Sequence, residues 1–360
     1  MRYLLNGHSY TAMACLKFYF FTDLQFPFIK AMLLKHGHKV KMDCTSVLIK
    51  YFQSLGSRPP VRIDSGVIES LLTNKKSSGV SEGSAKKLAS LLQALLEQNP
   101  SSKIGQRLPL ISTVIPAGTI TGRDTTKGMT LNSISKKHWI EILSPPLGGS
   151  YVLLDYSSQE LVIAAVKARD KNILTLYQQG DLYTALSNQV TNGELPRDSF
   201  KSLIIKILYG QAPMSAAEDL GINEVDAFRW IKKLKTITKL LDNFLDEQAC
   251  NAYSIGEIRS LDWRMSVDSE TSFLTLRNWP IQSCGADILH RGCLALHASG
   301  IPLLLTNHDS FLILVDNKNA KETILLAERL LRDASAEVLG GYQLKIKNEL
   351  IVGKYSSEKK

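Results

Sequence analysis

Two short apolar runs, IPLLL (301–305) and FLILV (311–315), are separated by a polar tip that carries His308, Asp309 and Ser310. Their length and their aliphatic and aromatic content predict two strands joined by a tight turn. Such strands must be covered by a sheet. A carboxylate at their tip must be ionised, paired or bound to something, because burying it alone is costly. The run YVLLDY (151–156) is of the same kind, an apolar strand ending in Asp155, with Glu160 five residues on. If both strands belong to one sheet, Asp155 and Asp309 converge. Paired oxygen donors suit a hard cation such as Mg²⁺, which keeps several waters. Taken singly, Asp155 reads equally well as the cap of the following helix, and Asp309 as a turn residue.

The rest of the chain supplies such a sheet. Short β-type runs begin near Leu110 (LISTVIP, then GTITGR) and strand-like character returns at SFLTLRNWP (272–280). Helical patterns dominate 158–250, and further helices are expected at 281–300 and 319–339, with a last strand at 342–352. One sheet built from both ends of this region, around a helical insert, accounts for the order. Upstream, helices are expected at 11–35, from about Asp64 to Leu72, and at 88–98. The polar, basic stretch 73–87 reads as a solvated connection or as a contact to a phosphate backbone. The apolar start (1–28) is broken by Lys17 and Asp23, too soon for a membrane span, and reads as a buried helix.

A formal charge of +9 is compatible with a polyanionic partner without requiring one. Five scattered cysteines with no CxxC pair argue against a zinc site or a disulfide framework, and point to a reducing compartment. Cys284 and Cys293 read as helix-packing residues, and the histidines lack metal-ligand spacing.

In RDSFKSLIIKILYGQ (197–211), Arg197, Lys201, Ile205 and Tyr209 recur every fourth residue. A helix would align two cations, an aliphatic side chain and a tyrosine along one face. A triphosphate laid along it would meet the forked guanidinium and the point charge of the lysine, with the aromatic end near its base.

DYSSQE (155–160), R-x₃-K-x₇-YG (197–210) and HD (308–309), in that order, resemble motifs A, B and C of the family A, DNA polymerase I-type, DNA polymerases. TITGRDTTKGMTLNSI (119–134) resembles the segment preceding motif A, and NWPIQSCGADIL (278–289) a glutamine-bearing helix of that family. FPFIKAMLLKHGHKVKMD (26–43) and RIDSGVIESLL (62–72) resemble its N-terminal helix and thumb entry. The resemblance implies an α/β (α+β) right-hand fold with an antiparallel palm sheet, helical fingers and a short helical thumb. The divisions it implies are an N-terminal helix over 1–25, the remnant of an exonuclease domain, then a helix and compact thumb over 26–118. Palm would follow at 119–180 and 271–360, with fingers at 181–270.

It further implies a template-directed DNA polymerase that adds deoxynucleoside triphosphates to a primer. Asp155 and Asp309 would hold two Mg²⁺ ions, with Mn²⁺ a substitute and the Tyr156 carbonyl a further ligand. Arg197 and Lys201 would bind the triphosphate, Lys201 also protonating the pyrophosphate. Ile205 and Tyr209 would line the nucleotide, and Glu160, bonded to Tyr209, would exclude a 2′-hydroxyl. Arg123, Asn278, Gln282 and His308 would touch primer, template or minor groove. Primer–template DNA is the implied partner of a monomer in the cytoplasm or nucleoid, of bacterial or phage origin, without a membrane. A processivity factor or a separate exonuclease chain would complement it.

Departures from the family pattern matter too. Ile204, Ile205 and Lys206 stand where motif B usually reads Asn, Phe and Gly, and Ser310 stands where a second acid follows HD. HDSF is also how the single-subunit, phage-type RNA polymerases read, but Glu160 and Thr121-Gly122-Arg123 favour DNA synthesis. A sugar-permissive polymerase and a catalytically weak primer–template-binding protein are the alternatives. Ala14 replaces an exonuclease metal ligand, so no 3′–5′ exonuclease is expected, and the compact thumb implies low processivity.

Overall fold

The computed structural model describes residues 118–127 and 145–353, positions 136, 139 and 143, and the backbone of strands β1 (Arg2–Leu5), β2 (His8–Thr11), β3 (Val40–Met42), β4 (Leu108–Leu110) and β5 (Thr113–Ile115). The helices expected at 11–35, 64–72 and 88–98, the connection 73–87, and the thumb assignment lie outside the described residues. Strand β5 pairs with β6 (Thr125–Lys127), and β3 with β4, as separate two-stranded ribbons.

The organising sheet is antiparallel and has the order β10-β11-β7-β12, from β7 (Gly149–Tyr156), β10 (Leu303–Asn307), β11 (Ser310–Asp316) and β12 (Ile346–Val352). The hairpin read from 301–315 is β10–β11, with Asn307 opposite Ser310 across a two-residue tip. Val152 and Leu154 on β7 and Phe311 and Ile313 on β11 are fully buried, as central strands require. Strand β12 lies along an edge and exposes Lys347, Asn348 and Glu349, charged and polar side chains that discourage further pairing.

Between β7 and the small hairpin β8 (Glu257–Arg259)–β9 (Arg264–Ser266) runs a helical insert. It comprises α1 (Gln159–Lys167), α2 (Lys171–Gln179), α3 (Leu182–Thr191), α4 (Arg197–Leu208), α5 (Pro213–Glu218), α6 (Glu224–Ile237) and α7 (Lys239–Ile255). Local chemistry sets its boundaries: Asp170, Asp181 and Asn223 accept backbone N–H bonds from the first turns of α2, α3 and α6. Then come α8 (Phe273–Ala298) and α9 (Ala320–Val338), which pack on each other and carry the sheet's core side chains.

Helix α8 crosses strand β11 closely at Gly292. A Cβ there would lie 2.7 Å from the Phe311 ring and 2.8 Å from Leu331. Phe311 in turn meets the Tyr156 ring edge-on at 5.9 Å, and the Tyr156 hydroxyl donates to the Leu331 carbonyl at 2.6 Å. Sheet, α8 and α9 are thus locked directly beneath Asp155 and the 308–309 tip.

Three expectations need correction. SFLTLRNWP is the first part of α8, not a strand. Leu276 and Trp279 are buried against Ala249, Ala252 and Ile258, and this packing overrides both the strand-like pattern and Pro280 within the helix. GTITGR is a turn, closed by the Gly122 N–H donating to the Thr119 carbonyl at 3.1 Å. The apolar start, read as helix, opens as the β1–β2 hairpin with Leu5 opposite His8. The intervening Asn6-Gly7 is a strong two-residue hairpin signal. Among the described residues no helix is long and apolar enough to cross a membrane.

Candidate active site

Strand register brings the two acids together. Asp155 sits opposite Ser310 on one side and Lys347 on the other, and Asp309 is the neighbour of Ser310 in the hairpin tip. The Tyr156 N–H donates to the Asp309 carbonyl at 3.1 Å, fastening the tip to the end of β7. His308 precedes it, exposed and in the left-handed region (φ 50°). Ser310, where the resemblance expects an acid, points away: its hydroxyl donates back to the Asn307 carbonyl at 3.0 Å.

The two carboxyls share one electrostatic field. Burial, and then the charges of Asp155 and Glu160, push the Asp309 carboxyl up to about 7. Asp155 is also raised, chiefly by burial, against the opposing pull of Lys201, Lys136 and Lys347. Two partly buried carboxylates that resist ionising together are relieved by a divalent cation between them. Among the described residues no group of three or more His, Cys, Asp or Glu is arranged for a metal. Two carboxylates with a nearby backbone carbonyl fit Mg²⁺, which takes few protein ligands and shares the rest with water and substrate phosphate.

Helix α4 presents the expected cationic face. Phe200, Leu203, Ile204 and Leu208 are its buried side, which leaves Arg197, Lys201 and Ile205 on another. Arg197 and Lys201 each lie 5.6 Å from the centre of the buried Tyr183 ring. Lys201 acts on both Asp155 and Asp309, so the cationic face and the acid pair share one field. Tyr209 follows the last turn of α4, and its carbonyl accepts the Asn278 side-chain N–H at 3.1 Å. The Asn278 carbonyl oxygen is buried without a partner, and Gln282 stands one turn further along α8.

Glu160 has a second neighbour besides Tyr209. Its carboxylate accepts from Arg123 at 3.2 Å, whereas the buried Tyr209 hydroxyl beside them forms no hydrogen bond of good geometry. A guanidinium competes for a carboxylate better than a neutral phenol does. Burial, and then the Glu160 charge, raise the Tyr209 hydroxyl well above its ordinary range.

Arg123 owes its position to the 119–123 turn. Gly122 adopts φ +77°, and a Cβ there would meet the Trp263 ring at 3.0 Å. The Ile120 carbonyl accepts from both Trp263 and Trp279 indole N–H groups, at 3.1 and 2.9 Å. The roles of Trp263, Trp279, Asp181 and Tyr183 were not read from the sequence. The sequence signal that could have found Asp181 is the Gly-Asp pair ahead of a helical run, and it marks only a helix cap.

Comparison with known proteins gives the family and the fold. The model of DNA polymerase family A matches residues 64–355. A DNA polymerase of Mycobacterium phage L5 is 24% identical over 231 residues, 61% of this chain and 38% of the phage protein. The thermostable DNA polymerase I of Thermus thermophilus is 25% identical over 57% of the chain and 26% of its own length. DNA polymerase I of Aquifex aeolicus is 24% identical over 71% and 47%. The chain therefore spans less than half the length of each of these relatives. Among solved structures, the polymerase domain of Pol1 from M. smegmatis, a complex with DNA primer-template and dNTP, aligns with a TM-score of 0.68. That alignment has 16% identity and covers 92% of this chain and 70% of that one. It shows the shared α/β polymerase fold.

Proposed function

The chain belongs to DNA polymerase family A, and from that premise we propose that it extends a primer 3′-hydroxyl with deoxynucleoside triphosphates, directed by a template strand. The observation that carries the reading is the convergence of Asp155 and Asp309 at one end of the sheet, within the field of Lys201.

In the reaction, a bond forms between the primer 3′-oxygen and the α-phosphorus while the bond to the β-phosphate oxygen breaks, releasing pyrophosphate. Phosphoryl transfer asks the protein for positioning and charge neutralisation. Arg197 and Lys201 bind the triphosphate, and Lys201 is the group that can protonate the departing pyrophosphate. Asp155 and Asp309, with the Tyr156 carbonyl, would hold two Mg²⁺ ions, which when bound acidify the 3′-hydroxyl and neutralise the phosphates. Ile205 and Tyr209 line the nucleotide. Arg123, Asn278, Gln282 and His308 are the residues we assign to primer and template.

The test is to offer one deoxynucleotide at a time to a labelled primer–template in Mg²⁺, opposite each template base. Template-matched extension is expected; binding without extension in either Mg²⁺ or Mn²⁺ would leave a protein that only grips DNA. A second reading, a sugar-permissive polymerase, draws on one contact: Arg123 competes with Tyr209 for the Glu160 carboxylate. Glu160→Ala decides between them. A large rise in ribonucleotide use supports strict exclusion of the 2′-hydroxyl, and little change supports permissiveness.

A further inference from the structure

Arg197, taken above to bind the triphosphate, is already in a fixed grip. Its Nε and Nη2 donate to the two oxygens of Asp181, each at 2.8 Å, and its Nη1 donates to Asp198 at 2.7 Å. Asp181 is itself held in place. Its Oδ1 caps α3 by accepting the Thr184 backbone N–H and the Thr184 hydroxyl, both at 2.9 Å, and Lys347 on β12 lies 3.6 Å from its Oδ2. These bonds hold the Asp181 carboxyl well below the usual carboxylate range, with the Arg197 bonds the largest cause.

The arrangement is a poor device for stability. Arg197 and Asp181 side chains are 38% and 30% exposed, and ion pairs so wetted contribute little to folding. It is a good device for orientation. A guanidinium has five N–H groups in a rigid fork, and three are engaged here. One N–H remains on each Nη, and the buried Tyr183 ring backs the group at 5.6 Å. The same ring lies 5.6 Å from Lys201, so the first turn of α3 supports both Arg197 and Lys201.

We propose that Asp181 is a positioning residue for nucleotide binding, holding Arg197 by its Nε edge so that its remaining Nη hydrogens face the triphosphate. Fixing a long, flexible side chain before substrate arrives removes an ordering cost that binding would otherwise bear. The Lys347 contact extends the support to the strand paired directly with the Asp155 strand, linking the cationic helix to the acid pair.

The inference rests on the reading of Arg197 as a phosphate ligand, so the experiment separates the two. Single-nucleotide incorporation is measured for the wild type, Asp181→Asn, Arg197→Ala and the double variant, with a melting curve for each. Asparagine keeps the helix cap but loses the charge and one acceptor oxygen, so the fold survives while the grip on Arg197 loosens. The expected result is a KM for deoxynucleotide raised about tenfold in Asp181→Asn, with kcat within about twofold, the signature of lost binding rather than lost chemistry. Adding Asp181→Asn to Arg197→Ala should change nothing further, because the first acts through the second. An unchanged KM in Asp181→Asn, with a raised KM in Arg197→Ala, overturns the positioning role and leaves the phosphate ligand standing. A lowered KM in Asp181→Asn also overturns it, since Asp181 would then be competing with the triphosphate. An unchanged KM in Arg197→Ala overturns both.

Discussion

Replacing Asp309 by Asn should make the metal-free protein more stable, and the gain should grow with pH. Burial and two neighbouring acids push this carboxyl from the ordinary value of 3.8 to about 7. The folded state therefore holds the proton more tightly than the unfolded state does. Below about pH 4 both states are protonated and the residue is neutral for stability. As pH rises from about 4 to about 7 the unfolded chain ionises freely and the folded chain resists, so stability is lost across that window. The full difference is about 4 kcal/mol; shared charge with Asp155 and residual solvent contact reduce the expectation to about 2 kcal/mol.

For a chain of this size that is a rise of roughly 2–3 °C in melting temperature at pH 8, shrinking toward zero near pH 4. Buried Asp287, pushed up to about 6, contributes in the same direction in both proteins and cancels in the comparison. Thermal unfolding of wild type and Asp309→Asn, with chelator and with Mg²⁺, supplies the assay. Mg²⁺ should stabilise the wild type and narrow the gap. An Asn variant that is no more stable at pH 8, or a difference that ignores pH, would refute the electrostatic argument.

Two further outcomes follow from packing. Gly292→Ala puts a methyl group 2.7 Å from the Phe311 ring and 2.8 Å from Leu331, so it should cost about 1–3 kcal/mol in urea unfolding. Tyr209→Phe removes a buried hydroxyl that forms no hydrogen bond of good geometry, so its melting temperature should be unchanged or raised, in contrast to the loss usual for a well-bonded buried tyrosine.

What was legible in the sequence was what local pattern controls. A central strand buried on both faces reads as a continuous apolar run, so β7 and β11 stood out, and with them the acids at their ends. The recurrence of Arg197, Lys201, Ile205 and Tyr209 exposed one face of α4, because helical spacing alone decides it. The rest depended on partners distant in the chain. Arg123 reaches Glu160 across 37 residues, and Arg197 reaches Asp181 across 16. No local pattern marks such pairs. The start of α8 was misread for the same reason, since burial against α7 and β8 makes a helix of a segment whose own pattern suggested a strand.

The central claim is that Asp155 and Asp309 together hold the metal ions for nucleotide transfer. Its most direct test is the rate of template-matched deoxynucleotide addition in Mg²⁺, at saturating nucleotide, for Asp155→Ala, Asp309→Ala and the double variant. The account predicts that each single change abolishes measurable addition while primer–template binding persists, and that the double variant is no worse than either. Substantial addition by either single variant would contradict it.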